Sequence, residues 1–82
     1  MSLADQIRMF VLVNYIKPAR TNSKRVVYVV SRDIVKKLNL YGRVPAVCGA
    51  IDARKFLSDN RIQLKQRTGP KQGLTAAWQF VV

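Results

Sequence analysis

The last stretch of the chain, Arg61–Val82, reads RIQLKQRTGPKQGLTAAWQFVV and decides the fold prediction. Apolar and polar residues alternate on both sides of a segment rich in Gly, Pro and Lys, a pattern typical of two strands joined by a turn. Successive strand side chains point to opposite faces, so Ile62 and Leu64 should face the core. The stretch predicts a C-terminal β-hairpin with an apolar face, a basic face (Arg61, Gln63, Lys65, Arg67) and an exposed tip (Gly69–Gly73).

The second half of the hairpin has apolar residues at every other position: Leu74, Ala76, Trp78, Phe80 and Val82. Large aromatic side chains in such a register are usually buried. We therefore expect these residues to close the core and not to stack on a ligand.

Upstream of the hairpin, the first segment predicts a helix that Ser2 caps. Its apolar residues follow helical spacing, although a strand over residues 9–13 is the alternative because Phe and Val favour sheets. The helix should end by Lys17, since the residue before Pro18 is pushed out of the α region. Residues 18–25 then form a basic loop.

The middle of the chain predicts a strand, two helices and a turn. Val26–Val30 is a β-branched run, and Ser31 can cap the helix that follows. Gly42 can adopt the left-handed conformation that ends this helix. Pro45 suits the first turn of a third helix, which should run to about Asp59. Phe56 and Leu57 in that helix are expected in the core.

The composition is that of one folded, strongly basic domain covering residues 1–82. The apolar fraction is 49%, and 15 Lys and Arg oppose 4 Asp, giving a net charge of +11. Such a charge opposes folding by self-repulsion unless a polyanionic partner neutralises it. Nucleic acid is therefore the expected partner, and an ordinary solvated basic surface is the alternative.

The order helix, strand, helix, helix, hairpin resembles the winged helix-turn-helix domain, an α+β fold whose C-terminal β-hairpin is called the wing. In that family the second helix of the pair enters the major groove and the wing contacts the adjacent backbone or minor groove. The resemblance assigns these roles to residues 44–59 and 65–73. The segment Tyr41–Ile51 also looks like a family-specific block, without an assigned function.

The charge is concentrated beside the third helix and not on it. Residues 17–43 carry eight cations and one Asp, and residues 61–82 carry four cations and no acid. Such residues hold phosphates and set orientation without reading sequence. The predicted nucleic-acid-binding residues are Arg32, Lys36, Lys37, Arg43, Arg54, Lys55, Lys65, Arg67, Lys71 and Gln72. Within the third helix only Arg54 and Lys55 suit base recognition, which predicts modest sequence specificity.

Catalysis, cofactors and membrane insertion have little support in the sequence. There is no His, no Glu and a single Cys, and no phosphate-binding glycine motif, so we expect neither an enzyme nor a cofactor. Cys48 cannot form an internal disulfide and is expected to be buried. The apolar run Met9–Val13 is too short to span a bilayer. We expect a cytoplasmic, nucleoid-associated protein.

Three functional hypotheses remain. The leading one is a duplex DNA-binding transcriptional regulator or architectural nucleoid component. The second is an RNA-binding component of a ribonucleoprotein, with DNA favoured over RNA. The third is a winged-helix module that binds protein, in which the C-terminal strand pairs with a second copy to form a homodimer.

Overall fold

Five α-helices and three strands make up the chain, and this computed structural model describes all of residues 1–82. The helices are α1 (Leu3–Val11), α2 (Lys17–Thr21), α3 (Ser31–Leu38), α4 (Val44–Asp52) and α5 (Arg54–Asp59), with a π-helical segment (Leu12–Ile16) between α1 and α2. The strands are β1 (Val26–Val30), β2 (Gln63–Thr68) and β3 (Ala77–Val81). The predicted α+β class is confirmed. None of the helices is long and apolar enough to cross a membrane.

The three strands form one antiparallel sheet with β3 between β1 and β2. The predicted hairpin and the predicted strand at Val26–Val30 are both confirmed. Because β3 is bonded on both sides, it has no free edge. It cannot pair with a second copy, so that predicted route to a homodimer is wrong.

The core lies between the inner face of the sheet and the helices. Trp78, Phe56 and Phe80 are its largest fully buried side chains, and the rings of Phe56 and Phe80 meet edge to face at 5.9 Å. Cys48 is also fully buried, as predicted. Leu64 and Leu74 were expected in the core but are 43% and 40% exposed, because Leu64 lies on the edge strand β2 and Leu74 in the loop before β3.

The first helix continues past Pro18, so the predicted end at Lys17 is wrong. Proline lacks an N–H and its ring crowds the carbonyl four residues back, which normally interrupts a helix. Here the helix widens instead: the Lys17 N–H donates to the carbonyl of Leu12, five residues back, and Lys17 keeps helical angles (φ −62°, ψ −45°). A π-helical turn is a known way to absorb such a disruption. Only residues 22–25 remain of the predicted loop.

Two predicted helix ends differ from the structure. Ser31 is not a cap: it is the first residue of α3, it is fully buried, and its N–H donates to the Ala76 carbonyl (2.8 Å), extending the β1–β3 ladder. The left-handed residue that ends α3 is Asn39 (φ 53°) and not Gly42. Asn tolerates this conformation better than other residues with a side chain.

The predicted third helix is two helices. Ala53 has extended angles (φ −66°, ψ 131°) and separates α4 from α5. No Gly or Pro marks this position, so the sequence carried no signal for the break. As a result Arg54 and Lys55 belong to α5 and not to α4, the helix that follows the turn.

Gly69 is required by the turn after β2. Its φ of +80° is one that residues with a side chain rarely adopt, and an added Cβ would lie 2.5 Å from the Thr75 carbonyl oxygen. We expect Gly69→Ala to lower the free energy of unfolding by about 2 kcal/mol. Gly42→Ala is the control, because nothing lies within 4 Å of a Cβ at Gly42. Urea denaturation of both variants measures the difference, and equal stabilities would contradict this reading.

Candidate nucleic-acid interface

The hairpin loop, defined here as residues 69–76, is docked on the start of α3. The N–H of Arg32 donates to the Leu74 carbonyl at 3.0 Å. The buried Cys48 thiol lies 3.6 Å from the Ser31 hydroxyl and 3.7 Å from the Gly73 carbonyl. These contacts hold the loop beside the first turn of α3 and the middle of α4.

A β-bulge changes the direction in which Arg67 points. Leu64 pairs with Phe80 and Gln66 with Gln79, so Lys65 is the extra residue of the bulge. The register after the bulge places Arg67 opposite the buried Trp78 and hence on the inner face of the sheet. The prediction that Arg67 lies on an outward basic face is therefore wrong.

Arg67 holds the start of the hairpin loop in place through hydrogen bonds to backbone carbonyls. Its Nη1 and Nη2 atoms donate to the carbonyls of Thr68 (2.8 Å), Pro70 (3.0 Å) and Lys71 (2.9 Å). Its Nε and Nη2 atoms bind both carboxylate oxygens of Asp52, at 3.0 and 3.1 Å. A guanidinium has five N–H donors, so none remains for a phosphate. The guanidinium also lies 4.8 Å from the Trp78 ring centroid.

Asp52, at the end of α4, is neutralised by this cluster. The Trp78 indole N–H donates to its Oδ1 at 2.6 Å. Partial burial raises the pKa of the Asp52 carboxyl, but hydrogen bonds from Arg67 and Trp78 lower it by more, so the net pKa lies below 3.8. The same pairing raises the pKa of Arg67. Asp52 is the one acidic residue of α4, and its negative charge is therefore already paired with the positive charge of Arg67.

The exposed stripe of α4 carries no hydrogen-bond donor for a base. Val47, Cys48, Ala50 and Ile51 are buried, which leaves Pro45, Gly49 and Asp52 exposed along one side. Proline has no polar side-chain group and glycine has no side chain, so neither can donate a hydrogen bond to a base edge. Gly49 has no side chain and nothing lies within 4 Å of an added Cβ, which permits close approach of a backbone to α4.

Gly49 lies in the interior of α4 with nothing within 4 Å of an added Cβ. Glycine costs about 1 kcal/mol relative to alanine inside a helix. We therefore expect Gly49→Ala to raise the free energy of unfolding by up to about 1 kcal/mol, measured by urea denaturation. A loss of stability would mean that the stripe is packed and not open.

Four of the predicted residues lie on α3 or on the hairpin loop bonded to its start, and we call them the loop-end cluster: Arg32, Lys36, Lys71 and Gln72. All four are exposed. Arg32 and Lys36 lie on one flank of α3, since residues four apart share a helix face. Lys71 and Gln72 belong to the hairpin loop that is bonded to the start of α3. Arg43, also exposed, immediately precedes α4.

The other predicted cations lie elsewhere. Lys37 is on the opposite flank of α3, with its Nζ 5.6 Å from the Tyr15 ring centroid. Lys55 lines a groove with Asp5 and Arg8 near the start of α1. Arg54 is exposed on α5, and Lys65 is in the bulge of β2. The ten predicted residues do not form a single patch.

A second group of cations lies at the other end of the sheet, and we call it the far-end cluster: Arg20, Lys24, Arg25 and Arg61. The start of β1 and the start of β2 both pair with Val81, which places these residues away from the hairpin loop. Arg20 Nη2 donates to the carbonyls of Asn60 (2.6 Å) and Arg61 (3.2 Å). Local sequence gave no reason to select this cluster, because a tertiary contact assembles it.

Most of the basic charge is unpaired. Only Arg8 and Arg67 form salt bridges, with Asp5 and Asp52, so the remaining 13 of 15 Lys and Arg have no acidic partner.

No family model matches the chain, and neither a curated protein nor a solved structure matches it significantly. The function is inferred from the position of these cations.

Proposed function

We propose that this chain is a non-catalytic nucleic-acid-binding protein of the winged helix-turn-helix type that binds duplex DNA chiefly through its phosphates. The element order and the position of β3 between β1 and β2 support this fold. In this proposal α4 faces the major groove and the hairpin loop is the wing. The protein would then act as a transcriptional regulator or as an architectural component of the nucleoid in the cytoplasm.

The observation that carries the proposal is the loop-end cluster beside α4, whose one acidic residue is paired with Arg67. The loop bonds to the start of α3, which brings Lys71 and Gln72 to the same end of the molecule as Arg32. Asp52, the one anion on the exposed stripe, is held by Arg67 and does not oppose a phosphate. Cations that flank such a helix bind phosphates, which sets the position of the protein on the duplex but selects little DNA sequence.

Modest sequence specificity follows from the same geometry. The two cations predicted as base readers, Arg54 and Lys55, lie on α5 beyond the break at Ala53. The exposed stripe of α4 offers Pro45 and Gly49 in their place. Discrimination between duplexes is therefore expected to come from DNA shape and deformability more than from base edges.

The proposal predicts a strong dependence of affinity on salt. Arg32, Lys36, Arg43 and Lys71 supply about four phosphate contacts, so log K against log salt concentration should have a slope of about −4. Fluorescence anisotropy with a random duplex at several salt concentrations measures the slope. A slope near zero would overturn phosphate-driven binding, and preferential binding of a structured RNA in competition would reassign the partner to RNA.

A further inference from the structure

A groove of about 380 Å³ lies between the π-helical segment, α2 and the start of β1. Its polar and aromatic wall consists of two asparagines, two tyrosines and a lysine: Asn14, Asn22, Tyr15, Tyr28 and Lys24. No acidic residue lines it, whereas the groove between α1 and α5 has Asp5 and Asp59 in its wall. Lys24 also belongs to the far-end cluster, so an anionic ligand is favoured in this groove over the other.

The π-helical segment brings the two asparagines toward one side of the helix. Residues eight apart in a regular α-helix are rotated by about 80° relative to each other. The wider turn at Leu12–Ile16 reduces this rotation, and Asn14 and Asn22 both line the groove. The turn that absorbs Pro18 therefore also shapes this groove.

Hydrogen bonds to the backbone fix both asparagine side chains. Asn14 Nδ2 donates to the Phe10 carbonyl, four residues back, at 2.9 Å. Asn22 Nδ2 donates to the Pro18 carbonyl, also four residues back, at 2.9 Å. Each exposed amide keeps its oxygen and one N–H free. An acceptor beside a donor is the arrangement that pairs with the edge of a nucleobase.

Two tyrosine rings complete the wall. Tyr28, on β1, is 69% exposed, and the Gln79 side-chain amide donates to its hydroxyl across the β1–β3 pair. Tyr15, on the helical side, is half-buried and meets the Phe10 ring edge to face at 6.4 Å. Exposed aromatic rings held in place in this way are the surfaces on which unpaired bases stack.

The cation in the groove wall is also held by the backbone. The Lys24 N–H donates to the Ala19 carbonyl at 2.8 Å, across a turn in which Ser23 is left-handed (φ 58°). Arg25 follows directly, and neither residue forms a salt bridge. These cations can bind the phosphates of a strand whose base lies in the groove.

We propose that this groove binds one unpaired nucleotide of a single-stranded nucleic acid. The base lies against Tyr28 with its edge on the asparagine amides, and the adjacent phosphates lie on Lys24 and Arg25. A base that is paired and stacked in a duplex cannot enter such a groove, so the strand must be single. The groove is separate from α4 and the loop-end cluster, and the inference does not depend on the proposed duplex binding.

Fluorescence anisotropy with a labelled oligothymidylate of about six nucleotides tests the stacking contact. Tyr28→Ala should weaken binding roughly ten- to a hundredfold, which is the effect of losing one base–aromatic stack. Tyr28→Phe keeps the ring and should bind within about threefold of the wild type. Tyr41→Ala is the matched control, because it removes a ring that is 64% exposed in the turn before α4, and it should leave the affinity unchanged.

Asn14→Ala tests the amide contact in a variant that should fold. Alanine has a higher helix propensity than asparagine. Loss of the amide should weaken oligothymidylate binding roughly three- to tenfold. Thermal melting checks that each variant is folded. Wild-type affinity in folded Tyr28→Ala or in Asn14→Ala would refute the site, and so would an equal loss in Tyr41→Ala and Tyr28→Ala.

Two double variants separate this site from the duplex site. Lys24→Gln/Arg25→Gln should weaken oligothymidylate binding at least about tenfold and duplex binding less than about threefold, and Arg32→Gln/Lys71→Gln should do the reverse. Equal losses of oligothymidylate binding in the two variants would count against the groove, whatever the duplex does.

Free thymidine 5′-monophosphate distinguishes a strand from a single nucleotide. It offers no neighbouring phosphates, so it should bind at least about tenfold more weakly than the oligothymidylate. Equal affinity would rule out a strand as the partner and reassign the groove to a free nucleotide. Amide shifts caused by the oligothymidylate should fall on residues 14–28, and shifts confined to α3 and α4 would contradict the proposal.

Discussion

Arg67→Met should lower the free energy of unfolding by about 3 kcal/mol, the largest loss of stability expected from any exposed or half-exposed residue of the chain. The substitution removes hydrogen bonds to two loop carbonyls and to the Thr68 carbonyl, and it leaves Asp52 without its cation. Hydrogen bonds to a charged group are worth about 1.5–3 kcal/mol each when one partner is deleted, and they are not additive. Trp78 is the single tryptophan, so its fluorescence during urea unfolding reports the change.

Two further variants separate the shape of Arg67 from its charge. Arg67→Lys keeps the net charge but lacks the planar fork that binds both oxygens of Asp52, so it should recover less than half of the lost stability. Lys65→Met, in the bulge, removes one charge without breaking any hydrogen bond and should change stability by less than about 0.5 kcal/mol. Full recovery by Arg67→Lys would show that the charge alone matters.

Local sequence patterns predicted the elements well where a single periodicity governs them. The hairpin and the buried register of Trp78 and Phe80 were predicted from alternation, and β1 from a β-branched run; the structure confirms all three. Helix boundaries depended on weaker signals and were often wrong. Pro18 is absorbed by a π-helical turn, and Asn39 ends α3 in place of Gly42. Ala53 separates α4 from α5 with extended angles, although alanine has the highest helix propensity of all residues.

The candidate interface was harder to predict because one unpaired residue changes which way a strand faces. Alternation assigned Arg67 to the basic side, but the bulge at Lys65 returns it to the inner face. Nothing in the sequence links Asp52 to Arg67 or Trp78, since their contacts span 15 and 26 residues. Counting charges by segment likewise could not show that Arg20, Lys24 and Arg25 lie at one end of the sheet and Arg32 at the other.

That division gives the binding prediction with the largest effect. The double variant Arg32→Gln/Lys71→Gln removes two cations of the loop-end cluster, both exposed and neither in a salt bridge. We expect duplex DNA to bind roughly ten- to a hundredfold more weakly at moderate salt, and the slope of log K against log salt to become less negative by about two. Anisotropy titrations of the wild type and the variant, in the same buffers, measure both quantities.

The matched control is Lys24→Gln/Arg25→Gln at the far end of the sheet. It also removes one Lys and one Arg, so the net charge of the two double variants is the same. If the interface is the loop end, this control should weaken binding less than about threefold and leave the slope within about half a unit of the wild type, since distant charges are screened over about 10 Å at this ionic strength. Equal losses in the two variants would mean that the duplex responds to total charge and not to a defined surface. A larger loss in the control would move the interface to the far-end cluster, where Arg20 already fixes the carbonyls of Asn60 and Arg61.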